Sequence, residues 1–283
     1  MSAVRMDGKA LSAKVRGSIL AETEELKKKG VTPGLAVIIV GNDPASEIYV
    51  RNKEKACAEC GFYSEKYALP AETSQEELLG LIGQLNHSPQ ISGILCQMPV
   101  PAHISEQAVI DAIDPKKDVD AFHPINVGKI MVGNFDFVPC TPAGVMELLD
   151  EYGIDPKGKE CVVVGRSNIV GKPMSMLLLH RHGTVTICHS RTQHLDEVCR
   201  RADILVAAVG KAGFITPDMV KDDAVVIDVG INRNAEGKVC GDVDPAVMEK
   251  ASYMTPVPGG AGPMTITMLM KNTLKAAKIQ NGL

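Results

Sequence analysis

The chain has 283 residues and a formal charge of −4, with 45% hydrophobic and 23% charged residues. That balance argues against a mainly disordered chain and against a nucleic-acid partner held by a broad basic face. At roughly 150 residues per domain it suggests two domains. No apolar run approaches the ~20 residues needed to span a bilayer. Met1 to Arg5 leads straight into Asp7-Gly8-Lys9 with no apolar stretch, so a cytoplasmic chain without a secretory signal is expected.

In chain order, Asp7 caps an expected helix running through Leu26 to Lys29, with Gly30 as its stop. Leu35–Val40 is a continuous apolar strand closed by Gly41. Pro44 or Ala45 opens a helix ending at Gly61, followed by a strand over 62–69, a helix over 74–86, a strand over 91–97 and a short helix over 105–113. Residues 114–142 break the rhythm. Rich in Pro, Gly, Asp and Asn, they read as a cleft-lining loop and domain junction. Thr141-Pro142 has the pattern of an N-cap and first helical position, starting a helix through Leu149. Beyond it, strands are expected over 160–164, 184–188, 204–209 and 225–229, with helices over 173–182, 195–201 and 217–220 between them and a last helix over 265–278.

Unbroken apolar strands with helical crossovers indicate parallel sheets. The expected fold is therefore two α/β domains, the second a Rossmann-like doubly wound parallel sheet, with a cleft between them. The boundaries are set at residues 1–140 plus 266–283 for a substrate domain and 141–265 for a dinucleotide-binding one. The eight cysteines are scattered, mostly inside apolar runs, and read as reduced, buried thiols. Cys57 and Cys60 form the only close pair, and no metal site is expected.

The sharpest local signal is an apolar strand ending in Gly165-Arg166-Ser167-Asn168-Ile169-Val170-Gly171, with a helix opening near Pro173. In a doubly wound sheet this is where backbone N–H groups face a pyrophosphate. The spacing is not the usual GxGxxG, and a tight structural turn is the competing reading. Gly165, Arg166, Ser167 and Ile169 are the candidate cofactor residues here. The next strand ends in His189-Ser190-Arg191-Thr192, with no acid for a ribose 2′-hydroxyl. Arg166 and Arg191 with Ser190 could instead meet a 2′-phosphate, which predicts NADP; two solvated arginines are the alternative. Val209-Gly210 and Val229-Gly230, with Ile231 just beyond, fit a backbone running close to the cofactor.

In the first half, Tyr49 and Lys53 are four residues apart and share a helix face. The spacing alone also arises by chance. Gln97 precedes Met-Pro-Val-Pro101 at a strand end, either an active-site position or an ordinary loop start. Asp118 and Asp120 lie in the junction, where either could cap a turn. Thr255 to Thr265, dense in Pro and Gly, reads as a rigid, shaped loop, with Pro258, Gly259 and Gly260 as candidate substrate contacts.

Taken together the motifs resemble the bifunctional methylenetetrahydrofolate dehydrogenase/methenyltetrahydrofolate cyclohydrolase family. They are Val40-Gly-Asn-Asp-Pro-Ala-Ser46, Tyr49-x-x-x-Lys53, Gln97-x-Pro-x-Pro101, Lys117-Asp-Val-Asp120, Pro139-x-Thr-Pro-x-Gly144, Val164-Gly-Arg-Ser-x-Ile-Val-Gly171 and Thr255-Pro-Val-Pro-Gly-Gly-x-Gly-Pro-Met-Thr265. Several motifs in one order are far more specific than any alone. Ala121 and Ala261 depart from the family, which more often has Gly and Val there. The chain looks like the short form, without a formate-ligase domain.

The resemblance implies NADP-dependent oxidation of 5,10-methylenetetrahydrofolate, then hydrolysis of the methenyl product to 10-formyltetrahydrofolate. It implies a homodimer. It assigns the hydrolytic centre to Lys53; Gln97 is suited to orient its amine, Tyr49 to stack on the substrate's flat rings and Asp120 to hold the pterin amino-pyrimidine edge, with a part for Asp120 in proton transfer left open. The alternatives are a single-activity dehydrogenase, a non-catalytic dinucleotide-binding relative and an unrelated NADP-dependent reductase on a similar scaffold.

Overall fold

The computed structural model describes residues 2–283, without the side chains of residues 44–46. The side chains of Pro44, Ala45 and Ser46 in the Val40–Ser46 motif thus lie outside the described residues. The first half of the chain contains β1 (Val4–Arg5), α1 (Gly8–Lys28), β2 (Gly34–Val40), α2 (Pro44–Glu59), β3 (Tyr63–Leu69), α3 (Gln75–His87), β4 (Gly93–Cys96), α4 (Glu106–Ala112) and α5 (Pro124–Val132). The second half contains α6 (Cys140–Glu151), β5 (Glu160–Val164), α7 (Gly171–His180), β6 (Thr184–Cys188), α8 (Leu195–Cys199), β7 (Ile204–Ala207), β8 (Val225–Asp228), β9 (Asn232–Arg233), β10 (Val239–Cys240), β11 (Tyr253–Met254) and α9 (Ala261–Gln280).

These elements form two compact units, one of residues 14–140 and 266–283, the other of residues 1–13 and 141–265. In the first, β3-β2-β4 make a parallel sheet. All seven residues of β2 are buried, as a central strand covered on both faces requires. Leu78, Ile82 and Leu85 recur at helical spacing on α3 and pack with Ile38 and Ile94 into one core. Each such side chain contributes about 1.5–3 kcal/mol by leaving water. The start of α3 is sealed by a capping box, in which Ser74 Oγ accepts the Glu77 N–H and the Glu77 carboxylate accepts the Ser74 N–H.

The second unit carries a six-stranded sheet in the order β1-β11-β8-β7-β5-β6, with every pair parallel. From β5 the chain passes to β6 on one side and then to β7 on the other. The strand order therefore reverses at β5, and the carboxyl end of that strand is where such sheets bind ligands. Val162, Val164, Leu205, Ala207 and Val226 form the middle of its core.

Several expectations are corrected. Residues 1–13 belong with the dinucleotide-type unit, because β1 pairs with β11 and the Met6 N–H donates to Met254 O at 2.9 Å. The junction is not all loop. α5 forms there, with Pro124 in its first turn, the His123 side chain accepting the Ile125 N–H, and Gly133 ending it at φ 78°. α6 begins at Cys140, so Thr141 is helical rather than a cap, and its hydroxyl meets that of Thr265 at 2.9 Å. α7 starts two residues early at Gly171, and residues 217–219 are a single 3-10 turn. α9 starts at Ala261, so the Gly/Pro-dense loop ends at Gly260. All eight cysteines are free, and all but Cys240 are buried.

Candidate active site

The four residues Lys117 to Asp120 divide their tasks. Lys117 Nζ donates to Leu85 O at 2.9 Å and Ser88 O at 2.7 Å, closing the end of α3. The Ile94 N–H donates to Lys117 O at 2.8 Å, so this segment runs beside β4 through one isolated parallel bridge. A Cβ on Gly93 would stand 2.6 Å from Val119 Cγ1, which is why β4 begins with glycine. Asp118 is buried and accepts from the His123 N–H at 2.9 Å, the Phe122 N–H at 3.3 Å and Asn126 Nδ2 at 2.8 Å. It is the turn-capping acid of the pair. Ala121 turns the chain at φ 58°, a conformation glycine adopts freely and alanine at a cost of roughly 1–2 kcal/mol.

Asp120 has a different environment. Its Oδ1 lies 3.6 Å from the Cys140 thiol, which is equally close to Val119 O. Burial pushes its carboxyl up from the ordinary carboxylate range, Lys53 pulls it down, and the nearby Asp118 charge adds to the rise. Lys53, half-buried on α2, donates from Nζ to Gln97 Oε1 at 2.8 Å. Burial lowers the Lys53 ammonium from its ordinary value, and Asp120 is the largest opposing influence. Gln97 is held from both ends, since its N–H donates to Ile38 O and its Nε2 to Met98 O. The fold thus brings Lys53, Gln97 and Asp120 into one cluster from a helix, a strand end and the junction. Tyr49 lies one turn before Lys53 and stays exposed. The sequence marks Cys140 only as a buried thiol. It is pushed well above its ordinary value by burial, and so remains a hydrogen-bond donor.

In the other unit, Gly165 and Gly171 are glycines for close approach. A Cβ would lie 2.3 Å from Ala208 O at Gly165, where φ is 138°, and 2.2 Å from Gly165 O at Gly171. Ser167 Oγ accepts the N–H groups of Val170 and Gly171, pinning the loop to the start of α7. Arg166, Ser167 and Ile169 are exposed. Ser190 and Arg191, also exposed, follow β6, whose Cys188 O accepts the Gly165 N–H at 2.9 Å. Arg166 and Ser190-Arg191 therefore leave the carboxyl ends of two adjacent strands at the reversal point. A close-packed turn, a helix start and exposed guanidinium groups on neighbouring strands fit a phosphorylated dinucleotide.

Gly210 and Gly230 both lie against a carboxylate of the protein. The N–H groups of Val209, Gly210 and Lys211 all donate to the buried Asp242 carboxylate, at 2.6 to 3.0 Å. Gly210 is needed for its φ of 70° in that turn, while a Cβ on Gly230 would meet Asp242 Cγ at 2.3 Å. Gly230 therefore makes room for a carboxylate of the protein itself. Asp228 supports the arrangement by accepting from the Gly230, Asp242 and Val243 N–H groups. Thr255 Oγ1 accepts the Asp228 N–H at 2.7 Å and anchors the Pro/Gly-dense loop. In that loop Pro258 is exposed, Gly259 O accepts the Lys9 N–H, and Gly260 O lies where a Cβ on Gly8 would be. Ile231 is exposed beyond β8.

Comparison with known proteins divides the chain near the same central boundary, around residues 120–140. A family model described as tetrahydrofolate dehydrogenase/cyclohydrolase, catalytic domain, matches residues 6–120, and its NAD(P)-binding counterpart matches residues 139–281. The chain is similar to the "Bifunctional protein FolD" of Acetivibrio thermocellus, 64% identical over 281 residues and 99% of each chain. It is similar to the crystal structure of the bifunctional methylenetetrahydrofolate dehydrogenase/cyclohydrolase from Campylobacter jejuni, with 49% identity and a TM-score of 0.96 over 99% of this chain and 100% of that one. A third likeness is to the enzyme of the same activities from Trypanosoma brucei, solved with NADP cofactor and an inhibitor. It shows 39% identity and a TM-score of 0.95 over all of both chains.

Proposed function

The chain belongs to the tetrahydrofolate dehydrogenase/cyclohydrolase family, and from that premise we propose how its residues divide the two reactions. The protein oxidises 5,10-methylenetetrahydrofolate to the 5,10-methenyl form with NADP⁺, then hydrolyses that product to 10-formyltetrahydrofolate. The observation that carries the residue assignment is the Lys53–Gln97 hydrogen bond at 2.8 Å beside Asp120.

In the first reaction a hydride leaves a carbon bonded to two nitrogens, whose lone pairs stabilise the cation that forms. No proton moves, so the protein contributes chiefly position. Tyr49 stacks on the flat rings, and Asp120 accepts from the amino-pyrimidine edge. In the second reaction water attacks the methenyl carbon and loses a proton to a base; one carbon–nitrogen bond then breaks as its nitrogen is protonated and the new hydroxyl gives up its proton to become the formyl carbonyl. Lys53 is that base. It can take the proton only as a neutral amine, and burial lowers its ammonium toward that state. A cationic substrate beside it lowers it further. Gln97 Oε1 holds Nζ in place.

Gly165, Arg166, Ser167 and Ile169, with Ser190, Arg191, Gly210 and Ile231, hold NADP in this reading, and Arg166 and Arg191 meet its 2′-phosphate. When bound, the cofactor supplies the hydride acceptor. Pro258, Gly259 and Gly260 contribute a rigid wall to the folate site. The protein acts as a cytoplasmic homodimer. The family likeness supports the dimer, and among the described residues no helix is long and apolar enough to cross a membrane. Sedimentation giving twice the 30.2 kDa chain mass would support the dimer, and the single mass would refute it.

The test is to supply 5,10-methylenetetrahydrofolate with NADP⁺ or NAD⁺ and follow reduced nicotinamide and methenyl product together. NADPH with little methenyl accumulation is the expected result. Methenyl accumulation would remove the Lys53 assignment, and no reduced cofactor would remove the dehydrogenase.

A further inference from the structure

Asn272 lies in a stretch of α9 where Met268, Leu269, Met270, Leu274, Ala276 and Ala277 are all buried and apolar. It is itself only 7% exposed. A carboxamide in such surroundings must find partners. Its neighbour Thr273 solves the problem locally, donating to Leu269 O one turn back. Asn272 reaches outside its own helix. Its Nδ2 donates to Val119 O at 2.8 Å and to Val138 O at 2.9 Å, with Cys140 Sγ a third contact at 3.8 Å.

The two amide hydrogens thus match two carbonyls on separate segments. One carbonyl belongs to the peptide that leads into Asp120. The other stands two residues before Cys140, whose one thiol hydrogen has Asp120 Oδ1 and Val119 O as acceptors, each at 3.6 Å. One side chain, 152 residues from Asp120 in sequence, therefore sets both the backbone that carries the carboxylate and the backbone that carries its hydrogen-bond donor. A leucine would fill nearly the same space but hold neither segment.

We infer that Asn272 is a positioning residue for this enzyme: it places Asp120 and sets the Cys140 thiol beside it. The inference rests on the reading of Asp120 as the group that holds the folate. A displacement of Asp120 on the ångström scale is costly, because activity depends steeply on alignment. It also weakens the influence of Asp120 on Lys53, which raises the lysine.

The test compares Asn272→Leu, Asp120→Asn and the double variant in the full-length protein. Expected for Asn272→Leu is a KM for 5,10-methylenetetrahydrofolate raised on the order of tenfold. The KM for NADP⁺ should not change, and the pH profile of hydrolysis should move to lower pH. If Asn272 acts through Asp120, the double variant is no worse in folate KM than Asp120→Asn alone. A purely structural role would lower the melting temperature and leave folate KM and pH profile in place, which would overturn the inference. Multiplying effects in the double variant would overturn it too. If Asp120→Asn leaves folate KM unchanged, the Asp120 reading falls and takes this one with it. If Asp120→Asn raises it and Asn272→Leu does not, only the present inference fails. Should Asn272→Leu not fold, Asn272→Ser admits water to the two carbonyls and is read by the same criteria.

Discussion

Lys53 Nζ donates to Gln97 Oε1 across 2.8 Å, tying a helix residue to the residue that follows a buried parallel strand. The strand end is rigid because Gln97 is held through its own N–H and Nε2. The amine is therefore presented from a fixed support, and its chemistry can be separated from substrate binding by substitution.

Lys53→Met removes the base and keeps most of the side chain's bulk. Water attack on the methenyl carbon should stop, while hydride transfer continues at a reduced rate. Product analysis should show methenyltetrahydrofolate accumulating. Equal loss of both activities in a folded variant would refute the separation of roles.

The pH dependence has a definite sign. Lys53 is active when deprotonated, so hydrolysis rises with pH, and its midpoint lies below the ordinary lysine value because burial lowers the ammonium. Gln97→Glu puts a carboxylate against Nζ, stabilises the ammonium and should move the rising limb to higher pH. Asp120→Asn removes a charge that raises Lys53 and should move the limb to lower pH. Stopped-flow hydrolysis of the methenyl substrate across pH would read both shifts. Movement of both variants in the same direction would contradict this account.

Arg191→Ala should lower kcat/KM for NADP⁺ by about 10- to 100-fold, the worth of charge-assisted phosphate bonds. The value for NAD⁺, which lacks the 2′-phosphate, should change little. Equal losses with both cofactors would remove Arg191 from that site.

Much of this architecture was legible from residues whose patterns are local. Leu35–Val40 could only be a buried strand, Ser74 and Glu77 announce a helix start, and Gly165 to Gly171 mark a strand-to-helix turn. What escaped depends on distant partners. β1 and β11 have two residues each, too few for any periodicity, yet their pairing moves the first thirteen residues into the other unit. α5 was hidden by a loop-like composition, although Pro124 and Gly133 were its start and stop signals. Asp228 and Asp242 belong to no motif, and only the fold shows why Gly230 must be glycine. Among site residues, spacing alone did not divide Asp118 from Asp120, and only the family resemblance singled out Asp120, because the division lies in which donors each acid meets.

Lys117 tests the structural half of that division. Lys117→Met keeps the packing but leaves Leu85 O and Ser88 O without their donor. Buried unmade acceptors cost roughly 1–3 kcal/mol each, less where water reaches them. The variant should lose about 2–4 kcal/mol in denaturant titration. A loss under about 0.5 kcal/mol, the size of an ordinary surface change, would show that the amine does not cap α3.

Two glycines near or in helices should respond to alanine with opposite signs. Gly80 is exposed in α3, and a Cβ there would meet nothing within 4 Å. Gly80→Ala should stabilise the protein by about 0.5–1 kcal/mol, because alanine loses less freedom on entering a helix. At Gly171 the added carbon would stand 2.2 Å from Gly165 O and 2.8 Å from Arg166 Cα. Both are backbone atoms, so no rotamer change can relieve the clash, and the turn itself must open. Gly171→Ala should therefore weaken NADP⁺ binding and lower stability by at least about 2 kcal/mol, within the range for overpacking. Its folate affinity, measured by titration without cofactor, should match that of the parent, since Tyr49, Lys53, Gln97 and Asp120 belong to the other unit and Pro258 to Gly260 lie outside the turn that Gly171 closes. Calorimetry of both variants with NADP⁺ and with folate reads all of these effects. Unchanged NADP⁺ affinity in Gly171→Ala would show that the turn after β5 does not hold the cofactor.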